Sequence, residues 1–346
     1  MQPVIHLSVN SMYDRSIKVY MLVAITALFA VLNITVMQTD IADTSTYYYY
    51  IDSIYFFREA DWWRFEFLSK VAMIVIRGFT GSTEETVYLL RYVLIFSFSI
   101  AMYFLFRRSS WKALAVALAL TAPLLGLVTI RATPAYIMAA MAAMAAMRGQ
   151  WRTIAYVLAG SLFHVSTILA APAIIAALLL KKYDVRRVRP KYILGSAAVM
   201  LILYATLGIY ITQIATDFIG SFSYLQKYVA YIPEVKAAAA VSSGSSLVAH
   251  YTLLSATVML GLFLILASRD DQGVEKLFIA ISLFIYVVLF FLFDPIASSR
   301  YAPFFTLPAL ALVDIPLRKG WSQAASALIA VLGGALFFLG VDYVIV

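Results

Sequence analysis

The sequence predicts an all-α, polytopic integral membrane protein with about eleven transmembrane helices, and three observations carry that expectation. Hydrophobic residues fill 63% of the 346 positions and charged residues only 13%, whereas soluble domains run near half apolar and a quarter charged. The mean hydropathy is +0.90. The apolar residues fall in blocks of roughly 16 to 22 between short polar runs, the length that crosses a hydrocarbon core. The basic residues then sort to one side of the resulting topology. The chain reads as a single transmembrane domain, residues 1–346, with long outer loops at 38–85 and 213–247.

The apolar run from Ile17 to Met37 is too long for a signal-peptide core and lacks a small-residue cleavage site, so it reads as an uncleaved first span. Further runs lie at about 86–106, 112–129, 132–147, 153–164, 166–180, 192–212, 248–267, 276–293, 301–317 and 321–341. Residues 62–79 contain Arg64, Lys70 and Arg77 and cannot be an ordinary span. They read as an amphipathic helix on the outer surface. The run from Thr153 to Leu180 has basic pairs at both ends, Arg148 with Arg152 and Lys181 with Lys182. One span cannot have both ends on the same side. The run therefore reads as two short helices meeting near Phe163–Thr167, with His164 at the break.

With a cytoplasmic N-terminus, 17 of the 26 basic residues fall inside and 12 of the 18 acidic residues fall outside. This is the positive-inside distribution. It accounts for the net charge of +8 as a topology signal, so no nucleic-acid partner is expected. Cysteine is absent, which removes disulfides, thiol nucleophiles and cysteine-ligated zinc. The histidines, His6, His164 and His250, have no metal-ligand spacing, and no metal site is expected. No Walker A pattern and no GxSxG elbow is present. The run MAAMAAMAAM, Met138 to Met147, reads as small residues that let helices approach closely rather than as a methionine metal path.

Polar groups near the membrane carry the chemistry. Arg131 sits in the tight link TIRATP and Arg300 in SSRYAP, each between two spans at the outer rim. Arg91 lies inside the start of the second span. Snorkelling to headgroups is the plain explanation for all three. The functional one is a guanidinium fork for a phosphate or diphosphate. His164 stands at the helix break and His250 opens the span after the second outer loop; a packing role is the alternative for each. The first outer loop sets Asp43, Glu66 and other carboxylates among Tyr47 and further aromatics. That mixture suits a sugar, although Tyr and Trp also crowd membrane interfaces without any ligand.

Ile130 to Lys182 resembles the EpsG-like, Wzy-type polymerases of bacterial surface polysaccharides, a family that includes O-antigen polymerases. The likeness rests on Arg131 opening a span, a basic inner turn at Arg148–Arg152, His164 with Ser166 two residues on, and a short helix ending in Lys181 and Lys182. Asp43 with Tyr47, Glu66 opening the amphipathic stretch, and Arg300-Tyr301 before Pro303 are further echoes. The resemblance implies a GT-C-like membrane glycosyltransferase of the bacterial inner membrane, active on its periplasmic face. It joins oligosaccharide units carried on undecaprenyl diphosphate. Arg131, Arg300 and Arg91 are then expected to bind diphosphate. Tyr47, His250 and Tyr301 are expected to touch substrate, and the base is one of Asp43, Glu66 and His164. The donor is already activated, so no cofactor is expected. A chain-length regulator and a flippase are the implied protein partners. Rival readings are another lipid-linked-sugar transferase or ligase, and a polysaccharide-lipid flippase. Mid-membrane charges are scarce and titratable groups cluster at the rim, which favours an enzyme over a transport path.

The charge distribution makes a direct prediction. The chain has no cysteine, so Ala240→Cys and Val185→Cys each give a single thiol. An impermeant thiol reagent on intact cells is expected to label Cys at 240 and not at 185; the reverse pattern would invert the topology.

Overall fold

The computed structural model describes residues 6–35, 44–57, 66–107, 109–123, 125–126, 129–183, 244–268 and 272–292, with isolated positions between 189 and 221 and at 303–308. The elements named below are all helical. They are α1 (His6–Thr35), α2 (Thr44–Tyr55), α3 (Phe67–Phe79), α4 (Thr83–Leu105), α5 (Trp111–Pro123), α6 (Ala132–Ala146), α7 (Arg152–Phe163), a 3-10 helix η1 (Val165–Ala170), α8 (Ala171–Lys182), α9 (Gly244–Ala267) and α10 (Gly273–Leu292).

The eleven predicted spans are met in part. Four helical segments are long and apolar enough to cross a membrane: Met12–Thr35, Thr83–Leu105, Val165–Lys182 and Gly273–Phe290. Ala132–Ala146, Arg152–Phe163 and Leu254–Ala267 are shorter apolar helices. The runs at 192–212, 301–317 and 321–341 lie mostly or wholly outside the described residues. Val23, Val31, Phe96, Ile100, Leu158 and Ile175 are exposed on these helices. Apolar faces of that extent require an apolar surrounding.

Helix α6 is central and packs against α4, α7 and α8. Its alanines, including Ala135, Ala139, Ala142, Ala143 and Ala146, are fully buried. The small-residue reading of the MAAMAAMAAM run holds: with its alanines buried, α6 comes close enough to α7 that a Cβ on Gly160 would stand 3.2 Å from Met138 Cβ, and η1 closes the same spot with Thr167 Cγ2 at 2.8 Å. Helix α6 ends in a Schellman motif. Gly149 takes φ 66°, its N–H donates to Ala146 O at 2.9 Å, and Gln150 N–H donates to Ala145 O at 3.0 Å. The turn is tight enough to send α7 straight back along α6.

The predicted break is present. His164 is extended (φ −155°, ψ 120°) between α7 and η1. At 12 residues α7 rises only about 18 Å, too little for a core of about 30 Å. Lys181, at the end of α8, lies 3.7 Å from where a Gly149 Cβ would stand. Both ends of the 152–182 segment therefore return to one end of the bundle, and His164 lies at the other.

The predicted first outer loop, 38–85, is more structured than the sequence suggests. Helix α2 occupies 44–55, and the amphipathic helix begins at Phe67 because Glu66 is extended (φ −71°, ψ 156°); Trp62 to Phe65 lie outside the described residues. Tyr47, Ile51, Met73, Val87, Leu90 and Ile130 form a small core that joins α2, α3, α4 and the start of α6. Arg77 ties α3 to α2 through Asp52 Oδ1 at 2.8 Å, with Tyr55 beneath its guanidinium. Helix α3 thus buries one side against the bundle rather than lying free on a surface.

At the opposite end, α1 clamps the α4–α5 turn. Buried Lys18 donates to Ser109 O at 2.8 Å and reaches Phe106 O and Arg107 O at 3.4 Å, which supplies a charged donor to the carbonyls of the turn after α4. Asp14 pairs with Lys18 at 2.7 Å and accepts from Trp111 N–H at 2.8 Å, the first residue of α5. Lys18→Met is expected to lower the thermal midpoint in detergent, by the equivalent of about 1–3 kcal/mol, because the buried Ser109 carbonyl loses its charged donor. The exposed Lys112→Met is the control and should change little.

Candidate functional site

Breaking a helix at His164 leaves backbone groups that α7 would otherwise satisfy. Two residues of α3 and its entry supply partners. Ser69 Oγ donates to Phe163 O at 2.8 Å. Val165 N–H donates to Glu66 Oε1 at 3.3 Å. The amphipathic helix is therefore a splint for the break. Ser166 N–H donates to His164 Nδ1 at 3.3 Å, which turns the imidazole back over its own turn.

Glu66 also reaches Arg131. Its Oε2 lies 3.8 Å from Arg131 Nη1; the carboxylate side chain is 4% exposed and the arginine side chain 26%. Arg131 N–H donates to the Tyr47 hydroxyl at 3.4 Å. Four of the predicted residues, Arg131, Glu66, His164 and Tyr47, thus converge at one end of the bundle from four different elements. Tyr47 is buried and supports the Arg131 backbone; it offers no open ring face.

Arg91 is fully buried, which rules out snorkelling. Its Nη2 donates to Thr44 Oγ1, and the phenols of Tyr47, Tyr48 and Tyr88 interact with it electrostatically. It holds the start of α2 from behind. Burial raises the Tyr48 phenol above its usual range, and Glu84 adds to the shift. Ser69 and Thr44 belong to this end of the bundle and were not singled out from sequence, and Lys70 was read there only as a charge of the amphipathic helix. Lys70 is buried beside Glu66; burial lowers its ammonium below the usual range while Glu66 pulls it back up. Asp43, Arg300 and Tyr301 lie outside the described residues, and of His250 only the backbone, in the first turns of α9, is described.

A cavity of about 360 Å³ adjoins this cluster, lined by α3, α4 and α6 and reaching Arg131 and Phe163. Phe163 in its wall sets this cavity beside the break at His164.

Removing the splint has a measurable consequence. In Glu66→Ala and Ser69→Ala, one backbone group at the break loses its partner, a loss of about 1–3 kcal/mol each. Peptides covering 160–170 are expected to exchange amide hydrogens faster, while peptides from α1 stay unchanged.

Comparison with curated proteins and with solved structures gave no match. A model of the EpsG family matches residues 18–344, nearly the whole length. The matched region contains every helix from α2 to α10, the break at His164 and the Arg131–Glu66 pair, and the chain belongs to the EpsG family.

Proposed function

We propose that this polytopic protein is a polysaccharide polymerase that joins undecaprenyl-diphosphate-linked oligosaccharide units at the outer face of the inner membrane. The observation that carries the reading is the convergence of Arg131, Glu66 and His164 beside an apolar cavity in a chain of the EpsG family.

In the proposed step, a hydroxyl oxygen at the non-reducing end of one unit bonds to the anomeric carbon of another chain. The carbon–oxygen bond to the diphosphate breaks, and its electron pair leaves with the lipid diphosphate. Arg131 stabilises that charge as a planar fork, and Arg300 is assigned the same role. Glu66 orients Arg131 and the break. With Nδ1 accepting a backbone N–H, the proton of neutral His164 sits on Nε2, which then donates to a sugar hydroxyl or to the departing oxygen. The hydroxyl proton goes to a carboxylate. Asp43 takes that role, since Glu66 is held by Arg131 and Val165 and Asp43 directly precedes the Thr44 that Arg91 binds. His250 and Tyr301 are assigned to the sugar units.

Purified protein given lipid-linked repeat units is expected to produce a ladder of products. A single addition would point to another transferase, and unchanged units to transport. Arg131→Ala should lower polymer yield by about 10²–10³. Arg131→Lys should be nearly as damaging, because a point charge does not replace a bidentate fork. Arg152→Gln, at the far end of the bundle, is the control. Normal polymer from a normally accumulating Arg131→Ala would remove Arg131 from the site.

A further inference from the structure

The cavity beside Arg131 has a wall chemistry that selects its occupant. Its described lining is apolar apart from Arg131 and three hydroxyls, and each of those hydroxyls already donates to a backbone carbonyl. Ser69 Oγ donates to Phe163 O at 2.8 Å, Ser97 Oγ to Leu94 O at 3.0 Å, and Thr133 Oγ1 to Leu125 O at 2.7 Å. No hydroxyl in the wall therefore needs a polar ligand. Arg131 is the one charged residue among the described lining residues, at the start of the stretch that leads into α6.

The cavity also opens sideways. Val93 and Ser97, one turn apart on α4, both line it and are both exposed. They lie in the middle of Thr83–Leu105, a segment long and apolar enough to cross a membrane. A chain in the hydrocarbon layer reaches this slot without passing through water. At about 360 Å³ the space is of small-molecule size, within the range of roughly 300–1,000 Å³ for such pockets. It suits one chain rather than the two tails of a phospholipid.

We propose that this slot holds the isoprenoid units next to the phosphates of a polyprenyl diphosphate, entering past the face of α4 that carries Val93 and Ser97, with the diphosphate at Arg131. A single apolar tail joined to a concentrated anion matches an apolar slot that ends in one guanidinium. The inference rests on the lipid-linked substrate of the proposed function and places its lipid within the fold. Small side chains, Ala72, Ser97 and Ala101, stand among bulky ones, Met73, Leu94 and Met138, and leave room for the methyl branches of an isoprenoid.

The test uses full-length protein in nanodiscs and geranylgeranyl diphosphate carrying a diazirine on its first isoprene unit. Labelled peptides are expected to map to α3, α4 and α6 near Met73, Val93 and Met138. Unlabelled undecaprenyl diphosphate should compete, and phosphatidylglycerol at the same mole fraction should not. Ser97→Phe fills the entrance from an exposed position and is expected to reduce labelling at least tenfold. Ala101→Phe, deeper along α4, should do the same. Labelling confined to other helices, or equal competition by phosphatidylglycerol, would overturn the proposal; the latter would make the slot an ordinary lipid site. The readout needs no glycosyl transfer. Correct labelling without a product ladder would sink the polymerase reading alone, and a ladder with labelling elsewhere would sink this one alone.

Discussion

Hydrogen-bonding groups freed by the broken helix at His164 govern much of this architecture. A backbone cannot leave its carbonyls and amides unmet where water is scarce. The solution is Ser69 beneath Phe163 O and Glu66 beneath Val165 N–H, both delivered by one short helix and its entry. Helix α3 must therefore sit against the break, and its position in turn roofs the cavity over α4 and α6. The placement of Arg131 follows as well, since the same carboxylate that meets Val165 also faces the guanidinium.

The charges at this end differ in kind. Arg131 keeps a quarter of its side chain accessible, while Arg91 keeps none. A guanidinium that never meets solvent cannot capture a ligand without rearrangement. Its contacts with Thr44 and the nearby phenols instead fix where α2 starts. Arg131 is thus partly accessible while Arg91 is a support, and Tyr47 lies between them, its hydroxyl accepting from Arg131 N–H and its phenol acting electrostatically on Arg91.

Much of the helical layout was legible from hydropathy, because long apolar runs and basic turns are one-dimensional signals. The break at His164 was legible for the same reason: matching basic pairs at Arg148/Arg152 and Lys181/Lys182 cannot flank a single crossing. The close contact of α6 with α7 followed from alanine spacing. The role of α3 was not legible. Its charges, Lys70 and Arg77, marked it as amphipathic, but nothing local says that Ser69 would meet a carbonyl 94 positions away. Helix α2 was missed because its tyrosine run reads equally as an interfacial belt. Burial of Arg91 was invisible too, since an arginine near a helix start fits snorkelling and burial alike.

The clamp made by Lys18 has a consequence for how the chain is assembled. Its acceptors, the carbonyls of Phe106, Arg107 and Ser109, lie 88 to 91 positions downstream. During synthesis they do not yet exist when α1 leaves the ribosome. Until they arrive, the ammonium remains a hydrated charge at the end of the first apolar helix and resists being pulled across the lipid. Once the α4–α5 turn has been made, the same charge is taken out of water and locks α1 to that turn. One lysine thus serves first as an anchor during insertion and later as a rivet in the finished bundle, and the handover cannot precede translation of residue 109.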